Sequence, residues 1–388
     1  MKIVDVCAFY TPHGGGVRTY IDQKLKVGSE LGHDIVIIAP GDQSSVIERG
    51  PRARIVTLPS PRFPLDRRYW YFSDEAAVHA ALDAQAPDMV EASSPWRSAS
   101  MVARWPGAAP RALIMHSDPL SAYAYRWFEP VLSRRTIDQQ FERFWSHLRE
   151  LGETMDRVVV ANARLEARLI EGGVANVALH PMGVEADTFS PDRRDPTLRR
   201  HMLKLLDLPE EATLLLGVGR LSAEKRWPMV VEAVAAAGAH APVGLAIFGV
   251  GQSKRRIINA IGGNPHVRLM APEKDRARFA AILASADALV HGCEAETFCM
   301  AAAEARASGL PVIVPDDGGA ADHAAGGAGV TYRAASAPAL AIAIDHFIKA
   351  PIVPPPPQVV TMRDHFEALF ADYARLVAAR RQPSLAPA

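Results

Sequence analysis

Short apolar runs alternate with loops and amphipathic segments from one end of this chain to the other. "KIVDVCAF" reads as a buried strand, "HGGGVRTYIDQKLKVGSELGH" as a glycine loop opening a helix, and "DIVIIAPG" as a second strand. The same β-loop-α-β pattern returns in "PDMVEAS", "RALIMHSD" and "RVVVANARLEARLIEGG", the last a strand running into a helix that stops at paired glycines. Strands this apolar on both faces predict a parallel sheet covered by helices on each side.

At 388 residues the chain exceeds what one hydrophobic core usually organises, so two domains are expected. The polar, proline-flanked stretch "SPDRRDPTLRR" has the composition of a hinge, and "LLLGVGRL" restarts the strand rhythm after it. This predicts an N-terminal domain over 1–188 and a second over 189–362, the latter carrying "VGLAIFGVG", "VRLMAP", "ADALVHG" and "PVIVPD". "KAPIVPPPP" must be extended, because successive prolines supply no amide donors. A helix over 363–381 then closes the domain or crosses back to the first, and 382–388 form a tail.

With 43 Lys+Arg against 43 Asp+Glu there is no global field to hold a polyanion, so nucleic acid is not an expected partner. Cys7, Cys293 and Cys299 make no even disulfide framework and read as small buried hydrophobes in a reducing compartment. His291, Cys293 and Cys299 match no zinc spacing, and no metal is expected. "MKIVDVCAFYTP" reads as a first strand rather than a cleaved leader, and no run reaches the roughly 18 apolar residues of a membrane helix. The expectation is a cytoplasmic protein, with peripheral contact at the inner face of the membrane as a further possibility.

"ETFCMAAAE", residues 296–304, sets Glu296 and Glu304 on either side of seven mostly small residues. The spacing predicts a helix whose first turn begins around Thr297 as its cap. Glu304 is then a rise of roughly 12 Å from Glu296, which suits two stations along one ligand rather than an acid/base pair. A helix N-terminus between them suits a phosphate. Taken alone, the same spacing also describes two solvated glutamates. "GVGRLSAEKRW" adds Arg220 and Lys225, with Glu224 and Arg226 beside them, on a loop at the carboxyl end of a strand, where open α/β sheets bind ligands. Arg220 can fork onto phosphate oxygens and Lys225 brings a point charge, each hydrogen bond contributing about 1.5–3 kcal/mol. A surface basic loop is the equal alternative for this segment by itself.

Together, "GRLSAEKR", the later "ETFCMAAAEARASGLPVIV" with its following "GG", and the N-terminal "FYTPHGGGVRTY" resemble the retaining glycosyltransferases of family 4. The resemblance implies an α/β fold of the GT-B type, two Rossmann-like doubly wound domains facing across a cleft. Within the family the chain looks closest to enzymes that move mannose from GDP-mannose to phosphatidylinositol mannosides, and to related lipid hexosyltransferases. It implies that Arg220 and Lys225 hold the donor diphosphate, Glu296 meets hydroxyls of the transferred sugar and Glu304 accepts from the ribose. Thr297, Phe298, Cys299 and Met300 would line the donor, and Gly14, Gly15 and Gly16 would face it across the cleft. His116, in "LIMHSDP", resembles the family histidine that contacts the sugar, whereas a lone histidine after a strand is more often structural. The role of Asp118 is open. "GGG" is not the G-x-G-x-x-G fingerprint, which leaves a dehydrogenase little support.

Two positions depart from the family: Cys299 stands where glycine is usual after the phenylalanine, and Arg226 where glycine commonly follows the lysine. The implied reaction is transfer of a hexose from a nucleoside-diphosphate sugar, of GDP-mannose or UDP-glucose type, to a lipid or glycan acceptor. No Asp-x-Asp motif is present, so no obligatory metal or other cofactor is expected. "RFPLDRRYWYF", with Arg62, Arg67, Arg68, Tyr69, Trp70, Tyr71 and Phe72, and "YRWFEPVLSRR" mix basic and aromatic residues. Such mixtures suit an anionic membrane interface or a packed core edge. Two rival readings stand beside this one: a nucleotide-sugar epimerase of similar fold, and a non-catalytic nucleotide-sugar binder, the latter suggested by Cys299.

Overall fold

The computed structural model describes residues 1–10, 15–64, 67, 69–129, 131–185, 187–356 and 360–381. Gly14, Arg68 and the tail 382–388 lie outside the described residues. The chain divides into two compact units. One comprises Met1–Asp118, Trp127–Met182 and the helix Met362–Arg381; the other comprises Pro119–Arg126 and Gly183–Thr361.

The first unit is built on eight strands: β1 (Lys2–Cys7), β2 (Asp34–Gly41), β3 (Ser45–Gly50), β4 (Ala53–Pro59), β5 (Met89–Ser93), β6 (Arg111–Ile114), β7 (Arg157–Val160) and β8 (Val177–Leu179). Their order across the sheet is β3-β4-β2-β1-β5-β6-β7-β8. All neighbours run parallel except β3, which pairs antiparallel with β4 at the edge. The central strands are apolar and buried on both faces, as helix-covered parallel strands must be. Helix Gly16–Glu30 packs beside the C-terminal helix Met362–Arg381. That last helix buries Phe366, Phe370 and Tyr373 and is held by a two-pronged Arg157–Asp372 pair at 2.7 and 2.9 Å.

The second unit has six parallel strands: β9 (Thr213–Val218), β10 (Val243–Phe248), β11 (Val267–Met270), β12 (Ala288–Val290), β13 (Val312–Pro315) and β14 (Gly329–Tyr332). Their order is β11-β10-β9-β12-β13-β14. The chain winds outward from β9 to β11, then crosses to the other side of β9 and winds outward again. The reversal falls between β9 and β12, and in such sheets the loops leaving the two central strands part to leave a crevice. The stretch read from sequence as a hinge is bound into this unit. Asp195 caps helix Pro196–Leu205 through Thr197 and Leu198 N–H, and Arg199 donates to Asp287 at 2.8 Å. Among the described residues no helix is long and apolar enough to cross a membrane.

Candidate functional site

The loop after β9 makes a short 3₁₀ turn at Ala223–Lys225 and enters helix Trp227–Gly238. Trp227 is fully buried, and its indole N–H donates to the Arg220 carbonyl at 2.8 Å, which pins the loop to the core beneath it. The loop after β12 runs from His291 to Cys299 before helix Met300–Ala307. Because β9 and β12 are neighbours, the two loops lie side by side, and Lys225 of one forms an ion pair with Glu296 of the other. His291 Nε2 is 3.0 Å from the same Glu296 Oε1; a carboxylate only accepts, so that nitrogen carries the proton.

Burial works against charge on Glu296, but the Lys225 ammonium and the His291 N–H override it and hold the carboxyl well below the usual range. Burial alone would lower Lys225; the Glu296 carboxylate more than offsets this and pushes it up. Both bonds land on Oε1, so Oε2 has no protein partner among the described residues. The result is a fixed, ionised carboxylate with one oxygen available to a hydroxyl. Arg220 is exposed and ion-paired with Glu224 Oε1 at 3.6 Å, too far for a hydrogen bond, so its guanidinium N–H groups can still donate to an anion.

The expected helix start is corrected. Thr297 is not a cap: the helix begins at Met300, with Cys299 at its boundary, so Glu296 sits in the preceding loop and its separation from Glu304 is not a helical rise. The cause is visible in the paired glycines after β13. Gly319 N–H donates to the Glu296 carbonyl at 2.7 Å, and a Cβ on Gly318 would stand 2.2 Å from the Glu294 carbonyl oxygen. The Glu294–Phe298 segment therefore lies against that backbone, and His323 fixes it further by donating to the Phe298 carbonyl at 2.7 Å.

Glu304, in the second turn, is buried and accepts from Arg276 at 2.7 Å. Arg276 also reaches Glu185 at 3.2 Å and lies over the Phe189 ring. Burial raises the Glu304 carboxyl, and Arg276 only partly counters it. Oε2 of Glu304 again has no protein partner among the described residues. Both departures from the family pattern occupy left-handed backbone, Arg226 at φ 48° and Cys299 at φ 70°. This explains why glycine suits those positions. Arg226 is anchored there by Glu294, which accepts from its Nε at 2.8 and 3.1 Å, and burial pushes the Cys299 thiol well above its usual value.

His116, Gly15 and Gly16 belong to the first unit. Gly15 and Gly16 are exposed at the start of helix Gly16–Glu30, which has no side-chain cap. A Cβ on Gly16 would touch nothing, so the protein's own packing does not require glycine there. His116 follows β6, its ring edge-on to Tyr20 at 4.7 Å. Tyr20 O–H donates to His365 Nε2 at 3.2 Å, while His365 Nδ1 donates to the Pro181 carbonyl at 2.9 Å. Burial pushes His116 down to about 4, leaving it neutral near pH 7. Asp118 is ion-paired with Arg168.

Sequence reasoning gathered Arg220, Lys225, Glu296, Thr297, Phe298, Cys299, Met300 and Glu304 on these loops and this helix. It missed His291 as the partner of Glu296, and Arg276 as the partner of Glu304. His291 had a signal, since it directly follows a buried strand at the carboxyl edge. Arg276 lies 28 residues from Glu304 and had none.

Residues 14–188 match the family described as Glycosyltransferase Family 4, and residues 201–359 match Glycosyl transferases group 1. The chain is 30% identical over 319 residues to the GDP-mannose-dependent alpha-(1-6)-phosphatidylinositol dimannoside mannosyltransferase of Mycobacterium tuberculosis, covering 81% of this chain and 79% of that protein. It is 27% identical over 328 residues to a GDP-mannose-dependent alpha-mannosyltransferase of Mycolicibacterium smegmatis, covering 83% and 81%. Among solved structures, sucrose-phosphate synthase from Thermosynechococcus elongatus aligns with a TM-score of 0.72 at 21% identity over 98% of both chains. Anabaena Alr3699/HepE in complex with UDP aligns at 0.65 and 15%, again over 98% of both. These likenesses establish the GT-B fold, and the extent of identity to the mycobacterial enzyme establishes more: the chain belongs to glycosyltransferase family 4, and it is a hexosyltransferase.

Proposed function

We propose that this enzyme transfers a hexose, with retention of anomeric configuration, from a nucleoside-diphosphate sugar of the GDP-mannose type to a lipid or glycan acceptor. The observation that carries the reading is Glu296, ionised and held through one oxygen by Lys225 and His291 at the β9/β12 reversal, with its other oxygen unpartnered among the described residues. Support for the donor class comes from relatives named as GDP-mannose-dependent.

In this proposal Arg220 and Lys225 take the diphosphate, Glu296 Oε2 accepts from a sugar hydroxyl and Glu304 Oε2 accepts from the ribose. Thr297, Phe298, Cys299 and Met300 line the donor, with Gly14, Gly15 and Gly16 as the glycine loop that approaches it. His116, neutral near pH 7, makes a hydrogen bond to the sugar rather than a charge contact. The bond between the anomeric carbon and the phosphate oxygen breaks through an oxocarbenium-like transition state. The leaving phosphate takes the acceptor proton as the new glycosidic bond forms on the same face. Arg220, Lys225 and the first-turn N–H groups of helix Met300–Ala307, which no side chain caps, stabilise the charge growing on the diphosphate. Glu296 is bound to a lysine and a histidine, an arrangement for holding a hydroxyl rather than for attack from the opposite face. Cationic side chains carry the neutralising role, so transfer proceeds without a divalent ion, and undiminished turnover in EDTA is the expected outcome.

For the acceptor side we assign the second of the two basic-aromatic stretches to an anionic membrane surface, at the cytoplasmic face. Trp127, Phe128, Val131 and Leu132 are exposed, Val131 to 78%, with Arg134 and Arg135 exposed beside them. Trp70 of the first stretch is half-buried, with Arg62 at 3.9 Å over its ring and its indole N–H on Asp42 at 2.8 Å. Sedimentation with anionic liposomes at low salt should be lost in Trp127→Ser/Val131→Ser and kept in Trp70→Ser. The transfer reading itself is tested by mannose transfer from GDP-mannose to a phosphatidylinositol mannoside. Conversion of the donor sugar without any acceptor would favour an epimerase instead.

A further inference from the structure

Cys299 adds a third metal-ligating group to the pair already formed by His291 and Glu296. An imidazole nitrogen, a carboxylate oxygen and the thiol sulfur of these residues all lie within 4.8 Å of one another. His291 and Cys299 are 2% and 3% exposed, and Glu296 opens the cluster on one side. We propose that this cluster captures a thiophilic divalent cation of the Zn²⁺ class, and that the cation inhibits transfer rather than serving it.

Thiolate and imidazole ligands select zinc, cobalt and similar ions over magnesium and calcium. Zinc bonds of about 2.0–2.3 Å set tetrahedral ligands about 3.3–3.7 Å apart. The His291–Glu296 pair, at 3.0 Å, is already that close, and a closure of about 1 Å brings in the sulfur. The third ligand exists because the chain carries cysteine at φ 70°, where glycine would supply no donor atom. Three features oppose binding and keep it moderate. Lys225 occupies the same carboxylate oxygen and must swing aside on its flexible stem, His291 must carry its proton on Nδ1 so that Nε2 can coordinate, and the buried thiol must release its proton to solvent as the sulfur–metal bond forms. A cation here takes Glu296 and displaces Lys225 together, so donor binding is lost. That consequence rests on the donor site proposed above; the binding itself does not.

The test is titration of the metal-free protein with Co²⁺, read by the thiolate-to-cobalt charge-transfer absorption. One equivalent should develop the band in wild type and in Cys293→Ser, and none in Cys299→Gly, a variant whose glycine suits the left-handed backbone. Absence of the band in wild type, or its persistence in Cys299→Gly, overturns the site. In transfer assays saturating Zn²⁺ should lower wild-type turnover at least tenfold, with recovery in EDTA, and should leave the residual turnover of Cys299→Gly unaffected. A band without inhibition would keep the cation site and contradict both its inhibitory role and the donor role of Glu296.

Discussion

Lys24 in the first unit and Lys225 in the second are both held by carboxylates, and they differ in what is left over. Lys24 is 0% exposed and donates to Asp5 Oδ2 at 2.8 Å and to Glu91 Oε2. Ser93 O–H fills Asp5 Oδ1 at 2.9 Å, and Tyr373 O–H, from the C-terminal helix, fills Glu91 Oε1 at 2.7 Å. All four carboxylate oxygens have a protein partner, and the cluster fastens β1, β5 and two helices together. Lys225 and Glu296 are 13% and 20% exposed, and one oxygen of the carboxylate has no partner among the described residues. The same two side-chain types thus form a structural joint where every bonding position is filled, and a ligand site where one is left open. Burial makes the first costly to disturb; accessibility makes the second useful.

The sharpest way to break this comparison is Lys24→Met. It strands two carboxylates in the core and should destabilise by about 3–5 kcal/mol, read by urea unfolding. A variant as stable as wild type would show that the cluster is not a joint. Lys225→Ala should do the reverse. Stability should fall by only about 1 kcal/mol, because Glu296 is partly exposed and keeps its hydrogen bond from His291. Turnover should fall about 10²-fold or more with the loss of transition-state stabilisation. Wild-type kinetics in that variant would remove Lys225 from the site.

Acid should separate the units next. His116 and His365 are buried neutral, each pushed down to about 4 from an ordinary value of 6.5. For a depressed folded pKa the stabilisation is present above 6.5 and is lost as pH falls toward 4, here by on the order of 3 kcal/mol for each histidine. Glu296 is depressed from the carboxylate range, so its contribution survives this window and fades only at lower pH. His365→Gln should reduce the loss of stability between pH 7 and 4; an unchanged slope would place the titrating groups elsewhere. The smallest effect is expected from Cys299→Gly, a gain of about 1 kcal/mol as left-handed strain is relieved.

The strand rhythm was legible because most parallel strands carry a run of apolar residues. The edge strand β3 was not, since "SVIERG" exposes Val46, Ile47, Glu48 and Arg49 and has no such run. Arg220, Lys225, Glu296 and Glu304 were legible through the resemblance, with each half of the motif falling on one loop. The helix start at Met300 was hidden because it depends on the left-handed backbone of Cys299 and on two glycines after β13, a contact that local propensity does not encode. The buried joint was hidden for a related reason: its members are 19, 67 and 282 residues apart, and only the sheet order brings them together.

The most direct test of the claim that the open carboxylates of the second unit hold a nucleotide-sugar is a thermal-shift titration of wild type and Glu304→Ala. The ligands are GDP, GDP-mannose, UDP and UDP-glucose. A ligand at a hundred times its dissociation constant stabilises by about 2.7 kcal/mol. The account predicts such a shift with the guanosine ligands in wild type and its loss in the variant. No shift with any of the four, or an equal shift in Glu304→Ala, would contradict it.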